Sequence, residues 1–177
     1  MSLHPTVSLF CGSAPAHTPE LLAELPKLAS QLATRQLAVR MGGMASGLMA
    51  QTGQALLAAG VPVTLVYPPT HSHEAAVPPH PLVHHQVVPN LAARVQFLSQ
   101  SPLCVTLPGG LGTWHELFEA WLQLRPGQRL AVLNHQGYYT PLQQLLEQGQ
   151  KAAYLRAGKA QQLAWCQTVA ELEPLLP

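Results

Sequence analysis

The sequence contains no aspartate, so every carboxylate role falls on Glu20, Glu24, Glu74, Glu116, Glu119, Glu147, Glu171 or Glu173. Charge is scarce altogether: Asp, Glu, Lys and Arg make up 10% of the 177 residues, and the formal net charge is +1. The few Arg and Lys are scattered, which argues against a nucleic-acid partner. Cysteine is equally thin. Cys11, Cys104 and Cys166 are odd in number, far apart and set in apolar runs. A disulfide framework is therefore not expected, and a reducing, cytoplasmic setting is. No apolar run approaches the ~20 residues that a membrane span needs. Met1 to Thr6 carries neither the basic segment nor the long apolar segment of a leader, so no membrane partner is expected. A weakly charged surface with net charge near zero favours burial in an oligomer.

What is present is apolar and regularly interrupted. A hydrophobic content of 47% suits one domain over residues 1–177 with a substantial core. Short apolar runs at Val7–Cys11, Leu37–Met41, Val61–Tyr67, His84–Val88, Leu103–Leu107, Leu130–Asn134 and Gln162–Cys166 read as strands. Between them lie helical patterns over Pro19–Thr34, Gly47–Ala59, Leu91–Gln100, Thr113–Leu124 and Thr140–Gln148, and a last one over Val169–Leu176. Five prolines make 68–82 a loop. Such alternation predicts the α/β class: a doubly wound, mostly parallel sheet of six or seven strands with helices on both faces. The strands read as continuous apolar runs, as strands buried on both sides do.

In open sheets of this kind, ligands bind beyond the carboxyl ends of the strands, where the chain order reverses. Three glycine turns follow strands here: Gly12, Gly42-Gly43, and Gly109-Gly110-Leu111-Gly112. The last is followed by Thr113, placed where a helix N-cap is expected, and by Glu116 one turn further in. Free N–H groups in the first turn of a helix attract an anion, most often a phosphate. A phosphate cradle with a carboxylate beside it is also a chemical proposal.

Pro108-Gly109-Gly110-Leu111-Gly112-Thr113-Trp114-His115-Glu116 fits the PGGxGTxxE signature of the LOG ("Lonely Guy") family, which often carries the name lysine decarboxylase. Gly42 to Ala50 resembles that family's GGGxxGLMG segment, Phe10-Cys11-Gly12-Ser13 its opening FCGSS, and Asn134 to Leu142 its N-x-x-GYY-x-x-L stretch. The resemblance implies a Rossmann-like homodimer that hydrolyses nucleoside 5′-monophosphates to a free base and ribose 5-phosphate. The base is a cytokinin in some members, so cytokinin activation is one implied role. Arg94 falls at the family's arginine position and Glu116 is the motif's last glutamate; the two are the implied catalytic pair. Gly109, Gly110, Gly112 and Thr113 are expected to hold the 5′-phosphate. Gly42, Gly43 and Ser46 are expected to complete the floor, with Gly12 and Ser13 on the same edge.

The chain departs from the family's pattern at three places that bear on the site. Met44 stands at the third glycine of GGG, Val95 where a lysine usually follows the arginine, and His115 at a commonly acidic position. Met44 and Val95 are expected to narrow or weaken the site. No cofactor is expected, and no metal. His71, His73, His80, His84 and His85 are loosely spaced, with no Cys or Asp beside them. The alternative reading is a non-catalytic binding protein for a phosphorylated ligand, such as a molybdenum cofactor carrier. An NAD-linked oxidoreductase is excluded by the spacing of Gly42 to Gly47 and the absence of Asp for the ribose position. Lysine decarboxylation is excluded because Lys27, Lys151 and Lys159 all lie outside glycine-rich sites.

Overall fold

Strand and helix alternate along the chain, and the computed structural model describes residues 5–15 and 19–177. Met1 to His4, read above for a leader, lie outside the described residues. In chain order the elements are β1 (Thr6–Phe10), α1 (Pro19–Thr34), β2 (Ala38–Met41), α2 (Gly47–Ala58), β3 (Val63–Tyr67) and β4 (Val83–Val87). They continue with α3 (Leu91–Leu98), β5 (Leu103–Thr106), α4 (Leu111–Leu122), β6 (Arg129–Leu133), α5 (Thr140–Lys151) and β7 (Leu163–Cys166). The described strands form one sheet in the order β4-β3-β2-β1-β5-β6-β7. Every pairing is parallel. The expected α/β, Rossmann-like, doubly wound architecture is therefore the observed one, with seven strands, all parallel, among the described residues.

Successive strand residues point to opposite faces, and the apolar residues sort accordingly. Leu9, Val39, Met41, Leu65 and Val105 join Leu21, Leu28, Leu32 and Leu56 of α1 and α2 in one core. Phe10, Val66, Cys104 and Val132 join Leu98, Leu117 and Trp121 of α3 and α4 in the other. The chain runs outward from β1 in one direction, then crosses back to start β5 on the other side of it. That reversal leaves a crevice at the carboxyl ends of β1 and β5, the place where such sheets hold ligands.

Three local expectations need correction. The proline-rich stretch 68–82 is not all loop: Pro69–Ala75 winds into 3-10 turns, with Pro at the first position, where its fixed φ and missing N–H do no harm. The last segment, Val169–Leu175, is likewise 3-10 rather than α-helical and contains Pro174, which cannot donate to an α-helical ladder. Thr113 is not an N-cap. Gly110 takes that position, three residues earlier, with extended backbone (φ −90°, ψ −154°), and α4 begins at Leu111. Among the described residues, no helix is long and apolar enough to cross a membrane.

Candidate active site

The crevice is built by tying the ends of β1 and β5 together. The Leu107 N–H donates to Phe10 C=O at 2.8 Å, and the Gly12 N–H donates to Pro108 C=O at 3.3 Å. A Cβ on Gly12 would stand 3.1 Å from the Gly109 Cα, so the two loops meet only because both positions lack side chains. A Cβ on Gly109 would collide with the Thr113 side chain. Gly109 is thus the seat against which Thr113, itself buried, packs its side chain. Gly110 and Gly112, both part of the cleft lining, have open space where a Cβ would be.

The resulting cleft measures about 290 Å³. The Gly110–Thr113 turn, Gly12 and Ser13 form part of its wall, and Arg94 and Glu116 lie within it. Since α4 starts at Leu111, the free N–H groups of its first turn belong to Leu111, Gly112 and Thr113. Backbone dipoles and free donors there make a preformed anion seat.

Arg94 and Glu116 are brought together from different helices. Asn90 caps α3 by accepting from the Ala93 N–H at 2.9 Å, and Arg94 follows in its first turn. Glu116 lies one turn further along α4 than Gly112. Both are nearly enclosed, at 8% and 7% exposure. The Arg94 Nη2 stands 3.6 Å from the Glu116 Oε1. The other terminal nitrogen, Nη1, makes the shorter contact, 2.8 Å to the Glu74 Oε2. The Arg94 Nε is buried without a partner. Burial is the main reason that the Glu116 carboxyl is pushed up to about 7; Arg94 opposes the shift and Glu74 adds to it. Such a carboxyl changes charge near neutral pH. It can hold a proton, release it, or face a developing cation.

The two sequence-marked glycines after β2 serve this arrangement from behind. Gly42 and Gly43 are not among the cleft-lining residues. A Cβ on Gly42 would collide with the Arg94 guanidinium, and one on Gly43 with the backbone of Glu74. Ser46 also stands back from the cleft, donating its hydroxyl to Ser13 C=O at 2.9 Å. These three residues therefore support Arg94, Glu74 and Ser13, in place of the phosphate floor expected of them. Met44 does not narrow the site. Its side chain is buried against Gly53 of α2, in the core. Val95 and His115 do line the cleft.

Glu74 is the principal residue that sequence reasoning passed over. It sits in the irregular 3-10 segment after β3, with no periodicity or motif around it. Its carbonyl accepts from the Met44 N–H at 2.9 Å and the Ala45 N–H at 3.0 Å, which locks that segment to the glycine turn. One signal could have found it: an acid in a loop leaving the carboxyl end of a strand, on the same edge as the other turns. His71 and Leu91 also line the cleft, and Cys11 forms part of its wall. Burial pushes the Cys11 thiol up, so it is not a nucleophile at neutral pH.

The chain is similar in sequence and in fold to several known proteins. A family model described as "Possible lysine decarboxylase" matches residues 41–175. A protein of Oryza sativa subsp. japonica named "Probable cytokinin riboside 5'-monophosphate phosphoribohydrolase LOGL1" is 30% identical over 174 residues, covering 94% of this chain and 76% of its own. The "Cytokinin riboside 5'-monophosphate phosphoribohydrolase" of Rhodococcoides fascians is 26% identical over 168 residues, covering 93% and 85%. Among solved structures, the molybdenum cofactor binding protein from Rippkaea orientalis superposes with a TM-score of 0.69 at 20% identity, covering 98% of this chain and 96% of that one. The molybdenum cofactor carrier protein of Chlamydomonas reinhardtii gives 0.66 at 19%, covering 97% and 95%. At these identities the structural likeness is one of fold.

Proposed function

We propose that this chain, which belongs to the LOG family, hydrolyses the N-glycosidic bond of a nucleoside 5′-monophosphate, releasing a free base and ribose 5-phosphate. The observation that carries this reading is a buried Arg94–Glu116 pair in the same cleft as the open first turn of α4. The Gly110–Thr113 N–H groups would take the phosphate and leave the sugar alongside Glu116. Cleavage of the C1′–N bond sends its electron pair to the base and leaves an oxocarbenium-like sugar, as in glycoside hydrolysis. A buried carboxylate stabilises that cation in surroundings where charge is poorly screened. Water then adds at C1′, and its proton goes to the departing base. The planar Arg94 fork is suited to paired bonds with phosphate or sugar oxygens. The name lysine decarboxylase does not fit: among the described residues no lysine lines the cleft, and pyridoxal chemistry requires one.

The active form we propose is a homodimer, with the whole chain acting as one unit. Leu111, Trp114, Phe118 and Leu122 recur every three or four residues along α4 and are exposed, with Tyr138 and Leu145 beside them. A stripe at helical spacing left in water is an interaction surface.

The test is incubation of the purified chain with AMP and cytokinin riboside monophosphates, followed by assay for ribose 5-phosphate. Release is expected, and Glu116→Ala is expected to lower it about a hundred- to a thousandfold while the fold stays intact. Unchanged turnover in that variant would sink the mechanism. The second reading is carriage of a phosphorylated ligand without turnover, which Val95 favours by leaving Arg94, among the described residues, as the cleft's single Lys or Arg. No product from the full nucleotide panel, together with tight binding of a phosphorylated pterin, would establish it instead.

A further inference from the structure

The guanidinium of Arg94 is divided between two carboxylates that come from different parts of the fold. Its Nη1 is held by Glu74 at 2.8 Å, within hydrogen-bonding distance, whereas Nη2 stays 3.6 Å from Glu116. The guanidinium is fixed from behind as well, because Gly42 leaves only enough room for it. Arg94 therefore cannot give both carboxylates a close hydrogen-bonded pair in this position, and Glu74 has the better share. We propose that Glu74 is a positioning residue for the reaction: by occupying Arg94 it withholds a full ion pair from Glu116 and so sets the protonation of that carboxyl.

The physical argument is one of competition inside a poorly screened cleft. A buried carboxylate gains most from a cation that hydrogen-bonds to it directly. Glu74 takes that contact and adds a negative charge on the far side of the same cation. Both effects disfavour ionised Glu116. The other titratable groups facing Glu116 are few. Cys11, just after β1, and Cys104 in β5 are close enough for Glu116 to raise their thiols, His115 precedes it on α4, and His71 lines the cleft from the Glu74 segment. Burial raises both thiols, Cys104 to about 12, so neither carries charge at neutral pH. Among the described residues, Arg94 and Glu74 are the charged groups that act on the Glu116 carboxyl. The side chain of Glu74 is separable from its structural task, because the link to Met44 and Ala45 runs through its backbone carbonyl.

This inference rests on the proposed function only in taking Glu116 to act in the reaction; its test is made on the free protein. With no aspartate and eight glutamates in the chain, carbon-13 labelling of glutamate side-chain carboxyls gives a spectrum in which each group can be followed from pH 4 to 9. Glu116→Gln identifies the Glu116 signal by its loss. In Glu74→Gln the Glu116 midpoint is expected to fall by about one pH unit or more, because Arg94 is released to it. Glu74→Asp, which restores the charge, is expected to bring the midpoint back towards the unsubstituted value. In Arg94→Gln the midpoint is expected to rise. A Glu116 midpoint that stays or rises in Glu74→Gln overturns the proposal, and so does one that fails to rise in Arg94→Gln. In an active protein, the pH-rate profile of Glu74→Gln shifts along with the midpoint; a purely structural residue would lower the rate at all pH values without moving the profile. Absence of turnover in every variant would count against the proposed function and leave the titration result standing.

Discussion

Tyr138 donates its hydroxyl hydrogen to the carbonyl oxygen of Gly109 at 2.7 Å. In a trans peptide the C=O and the following N–H point in opposite directions. Fixing the Gly109 carbonyl on one side therefore aims the Gly110 N–H to the other. Tyr139, packed edge-on against Tyr138, donates to the Leu107 carbonyl at 2.9 Å and braces the start of the same turn. Two neighbouring tyrosines thus hold the glycine turn from behind.

Tyr138→Phe removes only that hydroxyl. A hydrogen bond of this kind contributes about 0.5–1.5 kcal/mol, or roughly two- to tenfold in affinity. We expect KM for a nucleoside monophosphate to rise by such a factor with kcat changed less. Steady-state kinetics on the two proteins measure it, and an unchanged KM with a reduced kcat would contradict the role.

The glycines of the turn are expected to divide into two kinds. A methyl group at Gly109 has no room beside Thr113 and the Gly12 amide; overpacking of this sort costs about 1–3 kcal/mol. Gly109→Ala should therefore lower both the denaturant midpoint and activity. Gly112 faces open space at the second position of α4. Gly112→Ala should leave stability equal or slightly higher, since alanine is the better helix former, while binding of phosphate falls. Equal destabilisation of the two variants would argue against this division.

That division was only partly legible in the sequence. The glycine spacing and the four ordered motifs pointed to one sheet edge, and the parallel order of the strands places them there. What the motifs could not reveal is which way each residue faces. Gly42 and Gly43 look like a phosphate floor because other glycine turns are, but their missing side chains make room for Arg94 and Glu74. Thr113 looks like an N-cap by residue type, yet Gly110 caps the helix three residues earlier. Glu74 carries no local pattern at all; its position depends on long-range contacts of its carbonyl with Met44 and Ala45.

Met44 illustrates the same point with a measurable consequence. Its side chain fills the space above Gly53 in the core and does not reach the cleft. Met44→Ala should destabilise the fold by about 2–5 kcal/mol, as buried methionine truncations do. Specific activity of the folded fraction should be unchanged. A variant with normal stability and altered KM would return Met44 to the site.

Leu122 is 75% exposed at the far end of the apolar stripe on α4, away from the cleft. If that stripe joins two copies, Leu122→Glu places two like charges in an apolar contact, and burying an unpaired charge there is unfavourable. Sedimentation velocity should show a dimer for the unsubstituted chain and a shift towards monomer for Leu122→Glu. A monomer in both cases would remove the dimer from the proposal.

Glu116 should also leave a mark on stability. Its carboxyl lies at about 7 in the folded protein against 4.5 as the ordinary value, with burial as the main cause. Between those two pH values the folded state binds a proton that the unfolded state has already released, so unfolding free energy falls as pH rises through this window. The penalty is complete above about pH 7, and a displacement of this size corresponds to an effect on the order of 3 kcal/mol. Glu116→Gln cannot ionise. It is expected to equal the unsubstituted protein in stability near pH 4.5, to exceed it above pH 7, and to lose the slope between. Urea unfolding of both proteins at pH 5, 6, 7 and 8 measures the difference. Parallel curves across that range would mean that Glu116 titrates at an ordinary carboxylate value, and the reading of it as a group poised for catalysis near neutral pH would go with them.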